Sequence, residues 1–109
     1  MSYDIEIGDR EFNYTYNLAR FFHTFIRDEI GTTGLQALHG KKGKEAAALL
    51  GEAFEEIGQN FYDEERGYFG FAAAYDPENG WGDTYGATLL LGKLLAACAA
   101  NRKSIVILS

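Results

Sequence analysis

The sequence predicts an α+β domain in which three helices pack on a small sheet of two to four strands. Three observations support this prediction. An alternating apolar and polar stretch opens the chain, three apolar stripes with helical spacing follow, and a β-branched apolar stretch closes it. A length of 109 residues is typical of one domain, so residues 1–109 are predicted to fold as a single unit.

Two strands and a helix are predicted in the first third of the chain. Residues 3–7 alternate apolar and polar side chains, Gly8-Asp9 suits a turn, and residues 11–14 can return as a second strand. Apolar side chains at helical spacing then predict a first helix that is ended by Gly31. The side chains of this stripe are Leu18, Phe21, Phe22, Phe25, Ile26 and Ile30.

The middle of the chain predicts a loop and a second helix. The loop has two apolar anchors, Leu35 and Leu38, which would suit a short helical turn. The second helix is predicted from about residue 44 to residue 60, with an apolar stripe on one side and glutamates on the others. Gly51 and Gly58 weaken this helix, and the sequence suggests that they permit close contact with another helix.

A third helix and a closing strand complete the predicted fold. Asp83 is a good N-cap for a helix that continues to about Asn101. Its leucines cover more than one face, which predicts the most buried of the three helices. Residues 104–108 are almost continuously apolar and predict a central strand. Pairing of this strand with residues 3–7 would place the N- and C-terminal strands side by side.

Charge and composition narrow the range of functions. Sixteen Asp and Glu against ten Lys and Arg disfavour direct nucleic-acid binding, which requires clustered cations. No stretch is typical of a secretion signal or a membrane span, so a cytoplasmic location without membrane attachment is predicted. The single cysteine, Cys98, lies among leucines and alanines and is predicted to be a buried apolar residue.

No catalytic or metal site is predicted. Gly40-Lys41-Lys42-Gly43-Lys44 resembles an anion-binding loop, but His39 stands where a P-loop needs glycine, and solvated lysines are the favoured interpretation. The two histidines, with His23 predicted to be partly buried, have no credible nucleophile beside them. Neither enzyme activity nor a cofactor is therefore expected. The carboxylates considered for a metal lack EF-hand spacing and are Asp63, Glu64, Glu65, Asp76, Glu78 and Asp83.

The leading functional hypothesis is a non-enzymatic binding module for a protein partner. Aromatic side chains between residues 62 and 82 and glutamates of the second helix are the candidate contacts, because Tyr and Trp are enriched at binding hot spots. These residues are Tyr62, Tyr68, Phe69, Tyr75, Trp81, Glu52, Glu55 and Glu56. The same aromatics could instead cover the sheet or the helices. A homo-oligomer is also compatible with the sequence.

The alternative hypothesis is a pocket for a small polar ligand such as a nucleotide or a sugar. Amide and hydroxyl groups would lie beside aromatic rings on which a ligand could stack. The residues of this pocket would be Asn13, Tyr14, Thr15, Asn17 and Trp81. A strand end followed by a helix cap explains the asparagines and the threonine equally well.

Several segments together resemble a family of small uncharacterised proteins from bacteriophages and bacterial mobile elements. The segments are Asn13-Tyr14-Thr15-x-Asn17, Gly34-Leu35-x-x-Leu38-x-Gly40, Glu45-Ala46-x-x-Leu49-Leu50, Asn79-Gly80-Trp81-Gly82 and Leu94-Leu95-Ala96-Ala97-Cys98. The resemblance implies no activity. It implies a small accessory protein in the cytoplasm of a bacterial host, where such acidic proteins often modulate a host protein, including defence components.

Overall fold

The structure is a computed structural model that describes residues 2–61, 74–77 and 82–109. The described residues form the predicted α+β architecture, with three α-helices packed on a three-stranded antiparallel sheet. The strands are β1 (Ser2–Ile7), β2 (Arg10–Thr15) and β3 (Ile107–Leu108). The helices are α1 (Ala19–Phe25), α2 (Gly43–Phe61) and α3 (Thr84–Ala100), with short 3₁₀ helices at Tyr16–Leu18 and Leu35–Leu38.

β1 is the central strand of the sheet, because the strand order is β2-β1-β3. Tyr3, Ile5 and Ile7 are buried, whereas the residues between them are exposed. Ile5 lies opposite Phe12 of β2 and Leu108 of β3, so these three apolar side chains share the face that meets the helices. The prediction that the N- and C-terminal strands lie side by side is thereby confirmed.

The prediction of a central strand at residues 104–108 is wrong, because β3 is a two-residue strand at the edge of the sheet. Val106 is buried, but Ile105 and Ile107 are 43% and 44% exposed, which is the alternation of a half-buried segment. The backbone of Val106 bonds instead to the loop before α2. Its N–H donates to the Lys41 carbonyl, and its carbonyl accepts from Gly40 N, both at 2.9 Å.

The first helix is shorter than the sequence predicts. α1 ends at Phe25, Ile26 is already extended, and Arg27 forms an isolated β-bridge with Thr33. Ile30, which was expected on the buried stripe of this helix, is 88% exposed at the tip of the loop. Gly31 lies in this loop with φ +94° and does not end the helix.

An aromatic cluster joins α1 to the sheet. The ring of Phe22 lies edge-on to Tyr3 and Tyr14, with centroids 5.7 and 6.1 Å away, and also packs on Phe21. Tyr75 lies 5.5 Å from the Phe21 ring, so the short described segment at residues 74–77 packs against the same cluster. These contacts fix the start of α1, and therefore the position of the loop that follows it.

α3 has seven buried side chains, against three in the shorter α1. Asp83 is its N-cap, since the side-chain carboxylate accepts a 2.6 Å hydrogen bond from Gly86 N. α3 packs along α2, whose buried side chains include Leu50, Ala53 and Ile57. Among the helices that the structure describes, none is long and apolar enough to cross a membrane.

The close approach between helices occurs at Gly43, not at Gly51 or Gly58. A Cβ atom added at Gly43 would lie 2.6 Å from the Cys98 carbonyl oxygen and closer still to that of Asn101. The same addition at Gly51 or Gly58 would meet no atom of the described residues within 4 Å. The expected role of the two mid-helix glycines in helix contact is therefore wrong.

Candidate functional site

A groove of about 700 Å³ runs between α2 and the loop that joins α1 to the 3₁₀ helix at Leu35–Leu38. We call it the loop–α2 groove. Among the described residues, its lining is charged except for Ile30, Ala48 and Leu49. The described residues that line it are Arg27, Asp28, Glu29, Ile30, Lys41, Glu45, Ala48, Leu49 and Glu52.

Asp28 shapes the loop side of the groove. Its Oδ1 accepts hydrogen bonds from Ile30 N at 3.1 Å and from Thr32 N at 2.9 Å, and its Oδ2 lies 3.2 Å from Lys41 Nζ. The Asp28 side chain is only 7% exposed, so its carboxylate is largely shielded from water. A carboxylate that binds backbone N–H groups two and four residues ahead favours a tight turn over a helix. This turn holds Ile30 outward.

The same contacts lower the pKa of the Asp28 carboxyl. Burial raises this pKa, but the hydrogen bonds from Thr32 N, Lys41 Nζ and Ile30 N and the charge of Lys41 together outweigh it, so the pKa lies below the ordinary 3.8. A lowered pKa means that the folded state favours the ionised carboxylate. Its stabilising effect is therefore present above pH 3.8 and is lost as the pH falls through the lower folded value.

We therefore expect the loop to open on acidification in step with Asp28. The amide resonances of Ile30 and Thr32 should titrate together, with a midpoint below 3.8, when followed by NMR in the wild-type protein. In Asp28→Asn these resonances should show no such titration, because the ionisable group is gone. A midpoint at or above 3.8 in the wild type would contradict the arrangement.

Charge in the groove is unbalanced toward the carboxylates. The two cations are already engaged, Lys41 with Asp28 and Arg27 with Glu56 at 3.3 Å. Glu29, Glu45 and Glu52 are exposed and form no ion pair within the part of the chain that the structure describes. Three carboxylates without an ion-pair partner among the described residues therefore surround an apolar strip formed by Ala48 and Leu49.

The glutamates predicted for partner binding divide between two sides of α2. Glu52 lines the groove, and Glu56 lies just beyond it in the ion pair with Arg27. Glu55 is exposed and does not line the groove. The structure therefore brings two of the three glutamates toward one site.

The predicted aromatic contacts are described only at Tyr75. Tyr62, Tyr68, Phe69 and Trp81 lie outside the described residues. Tyr75 is half-buried, packs on Phe21 and Phe25, and has the Arg20 guanidinium 5.3 Å from its ring centroid. This ring therefore packs on the helix, which is the simpler of the two interpretations considered for it.

The alternative ligand pocket is split between two faces of the sheet in its described part. Asn13 Nδ2 donates to Ser2 Oγ at 3.0 Å and to Asp4 Oδ1 at 2.8 Å on the outer face. Tyr14 belongs to the helix-facing side, where its hydroxyl donates to the Asp83 carbonyl at 2.9 Å. Because neighbouring residues of a strand point to opposite faces, these two side chains do not line one concavity.

Thr15 acts as a local cap. Its Oγ1 accepts a 3.2 Å hydrogen bond from Asn17 N at the start of the first 3₁₀ helix. A Cβ atom added at Gly82 would lie only 2.6 Å from the Thr15 methyl carbon, so this strand end packs directly against the segment before α3. The predicted ligand contact at Trp81 lies outside the described residues.

The lysine-containing loop before α2 is not an open anion cradle. The N–H groups of Gly43 and Lys44 donate to the carbonyls of Ser104 and Arg102, at 2.8 and 3.1 Å. Glu45 N and Ala46 N both donate to the Lys42 carbonyl. The donors that would have bound an anion are therefore used by the chain itself. Lys41 is not simply solvated either, since it pairs with Asp28.

The remaining chemically active side chains have structural roles. Cys98 is fully buried, as predicted, and burial raises the pKa of its thiol to about 11, so it is protonated. His39 Nδ1 accepts a 2.9 Å hydrogen bond from Leu108 N and holds the edge strand. His23 is exposed rather than partly buried, with Nδ1 2.7 Å from Thr33 Oγ1 across the loop.

Asp76 and Asp83, two of the carboxylates considered as metal ligands, instead cap the N-terminus of α3. Asp76 Oδ1 accepts from both Thr84 N and Thr84 Oγ1, at 2.7 and 2.6 Å, and Asp83 caps Gly86 N. In the described ranges 2–61, 74–77 and 82–109, no three His, Cys, Asp or Glu side chains are grouped to hold a metal ion. The other four acids considered lie outside those ranges.

Comparison with protein-family models, curated proteins and solved structures finds no match to this chain. The phage-protein resemblance therefore stays a prediction, and the groove must be interpreted from its own chemistry. Sequence reasoning missed its loop side, residues 27–30, because Ile30 continued a helical pattern. The signal that could have revealed the loop is Asp28 followed three residues later by Gly31, a combination typical of a turn.

Proposed function

We propose that this chain is a non-enzymatic protein-binding module and that the loop–α2 groove is its binding site. The observation that carries the proposal is Ile30, 88% exposed beside an apolar strip of Ala48 and Leu49 and surrounded by uncompensated carboxylates. An apolar centre with a polar, charged rim is the usual anatomy of a protein interface.

Ile30 is suited to act as the anchor of this interface. Full burial of an isoleucine side chain contributes about 1.5–3 kcal/mol, which corresponds to roughly tenfold to more than a hundredfold in affinity. The hydrogen bonds from the loop to Asp28 hold Ile30 outward before a partner arrives. A preorganised loop loses less conformational entropy on binding than a disordered one.

The resemblance to phage and mobile-element proteins supports a more specific setting for this module. It supports an accessory protein that modulates a host protein in the bacterial cytoplasm, with a defence component as one class of partner. The acidic composition supports a partner with a basic surface, since charge complementarity speeds encounter and selects against other partners.

A photo-crosslinking experiment tests whether the groove is the binding site. Benzoylphenylalanine placed at position 30 should form a discrete adduct with one protein of a bacterial host lysate. The same probe at position 11, on the outer face of the sheet, should not form it. The adduct partner is then purified, and its affinity for the wild-type chain is measured.

Two serine substitutions complete this test. Ile30→Ser should weaken binding of the purified partner at least about tenfold. Leu89→Ser, which changes another exposed apolar residue on α3, should leave the affinity unchanged. Equal affinities for the wild-type chain and Ile30→Ser, or the same adduct from position 11, would overturn the proposed function.

A further inference from the structure

We infer that the occupant of the loop–α2 groove is a basic amphipathic helix with two cationic side chains seven residues apart and an apolar side chain between them. This inference rests on the proposed function and specifies the chemistry of the partner. Three features of the groove lead to it: its charge, the spacing of its carboxylates along α2, and the position of the loop.

The charge of the groove selects a cationic occupant. Of its lining residues, Lys41 and Arg27 are held by carboxylates, whereas Glu29, Glu45 and Glu52 are left without a cation among the described residues. An acidic occupant would add further repulsion to these three. A neutral apolar occupant would bring the carboxylates toward a surface of low polarity without compensation, which is costly. Lysine or arginine side chains compensate them and also cover apolar surface with their methylene groups.

The spacing along α2 selects a helix. Glu45, Leu49 and Glu52 lie four and three residues apart, so they form one stripe on the helix surface. Seven residues of an α-helix rise about 10.5 Å, so the Cα atoms of Glu45 and Glu52 are separated by about this distance along the axis. A second helix alongside α2 repeats the same spacing between its own positions i and i+7, with position i+3 or i+4 placed against Leu49.

An extended peptide fits this stripe less well. Side chains on one face of a strand recur at about 6.7 and 13.4 Å, neither of which matches a separation of about 10.5 Å. The apolar side chain between the two cations would also fall out of register with Leu49. The stripe on α2 is thus matched to the helical period.

The loop forms the second wall of the groove. Ile30 can pack on the apolar stripe of the docked helix from the side opposite Leu49, and Glu29 can bind a third cation. Glu56 comes next along α2 after Glu52, and its carboxylate already pairs with Arg27. A further cation of the occupant would therefore find no free carboxylate at this position. The site therefore favours two principal cations over a long basic run.

Synthetic peptides test this inference directly. The first is a 21-residue alanine-rich helix with lysines seven positions apart and a leucine four positions after the first lysine. The second has the same composition, but its lysines lie two positions apart and do not share a face. The third replaces both lysines with glutamate, and the fourth carries a central proline that breaks the helix. Binding of labelled peptides is measured by fluorescence anisotropy, and helicity by circular dichroism.

The first peptide should bind about twofold to fivefold more tightly than the second, because only the first places both cations on the groove side. The glutamate peptide should show no binding, and the proline peptide should bind at least about fivefold more weakly than the first. Raising the salt concentration from 50 mM to 500 mM should weaken the first peptide's binding, since the contacts lie near the surface.

Glutamine substitutions in the chain provide the matched control. Glu45→Gln and Glu52→Gln should each weaken binding of the first peptide about twofold to fivefold. Glu55→Gln makes the same chemical change on the same helix outside the groove and should have no effect. Equal binding of the first, second and proline peptides, or equal effects of the three substitutions, would overturn the inference.

Failure of this inference can be told apart from failure of the proposed function. If position 30 still crosslinks the host partner while no basic helix binds, the groove is a binding site of different chemistry and only the inference is overturned. If neither the crosslink nor the peptide binding is seen, both are overturned.

Discussion

Leu91→Ala is expected to lower the free energy of unfolding by about 3–5 kcal/mol. Leu91 is fully buried on α3, the helix that packs along α2. Removal of its isobutyl group loses the transfer free energy of the buried atoms and leaves a cavity that the surrounding helices fill only in part. Urea denaturation followed by circular dichroism would measure the change. Because a small domain is stable by only about 5–15 kcal/mol, this single substitution should bring the chain close to unfolding.

Leu89→Ala is the matched control on the same helix. Leu89 is 48% exposed, so the same substitution removes atoms that are largely in contact with water. A change of less than about 1 kcal/mol is expected. If the two substitutions cost the same, α3 does not turn Leu91 toward the core and Leu89 toward water.

Gly43→Ala is expected to destabilise the chain by about 1–3 kcal/mol, although alanine normally stabilises a helix relative to glycine. The added methyl group would collide with the backbone carbonyls of Cys98 and Asn101 at the end of α3. Backbone atoms cannot rotate away as a flexible side chain can, so α2 and α3 would have to separate. Urea denaturation again reports the effect.

Gly51→Ala tests the same principle with the opposite sign. In the part of the chain that the structure describes, no atom lies within 4 Å of the added methyl group at this position of α2. The intrinsic preference of the helix for alanine should therefore prevail and raise the free energy of unfolding by about 0.5–1 kcal/mol. Opposite signs at positions 43 and 51 are expected, and the same sign at both would contradict the helix packing.

The fold was predictable wherever the local pattern and the tertiary structure agree. The alternation at residues 3–7 marks β1, and Asp83 marks the start of α3, because each signal reflects contacts within a few residues. The first helix was predicted too long because Ile26 and Ile30 continue the helical period. The Asp28 carboxylate competes for the backbone N–H groups of that turn, and this competition is not visible in apolar periodicity.

The candidate site was predictable only on its α2 side. The glutamates of α2 stand out in the sequence, and Glu52 does line the groove. The loop side depends on the ion pair between Asp28 and Lys41, which are thirteen residues apart, and no local pattern indicates such a pairing. The length of β3 could not be predicted from the sequence either, because the backbone pairing of Val106 with Lys41 depends on how two loops meet.

NMR mapping of the bound state tests the central claim most directly. The wild-type chain, labelled with ¹⁵N, is titrated with the crosslinked partner's binding segment or with the basic helical peptide. If the loop–α2 groove is the binding site, the largest amide shifts should lie at Arg27 to Ile30 and at Glu45, Leu49 and Glu52. Shifts concentrated on the outer face of the sheet, with those groove amides unchanged, would contradict it.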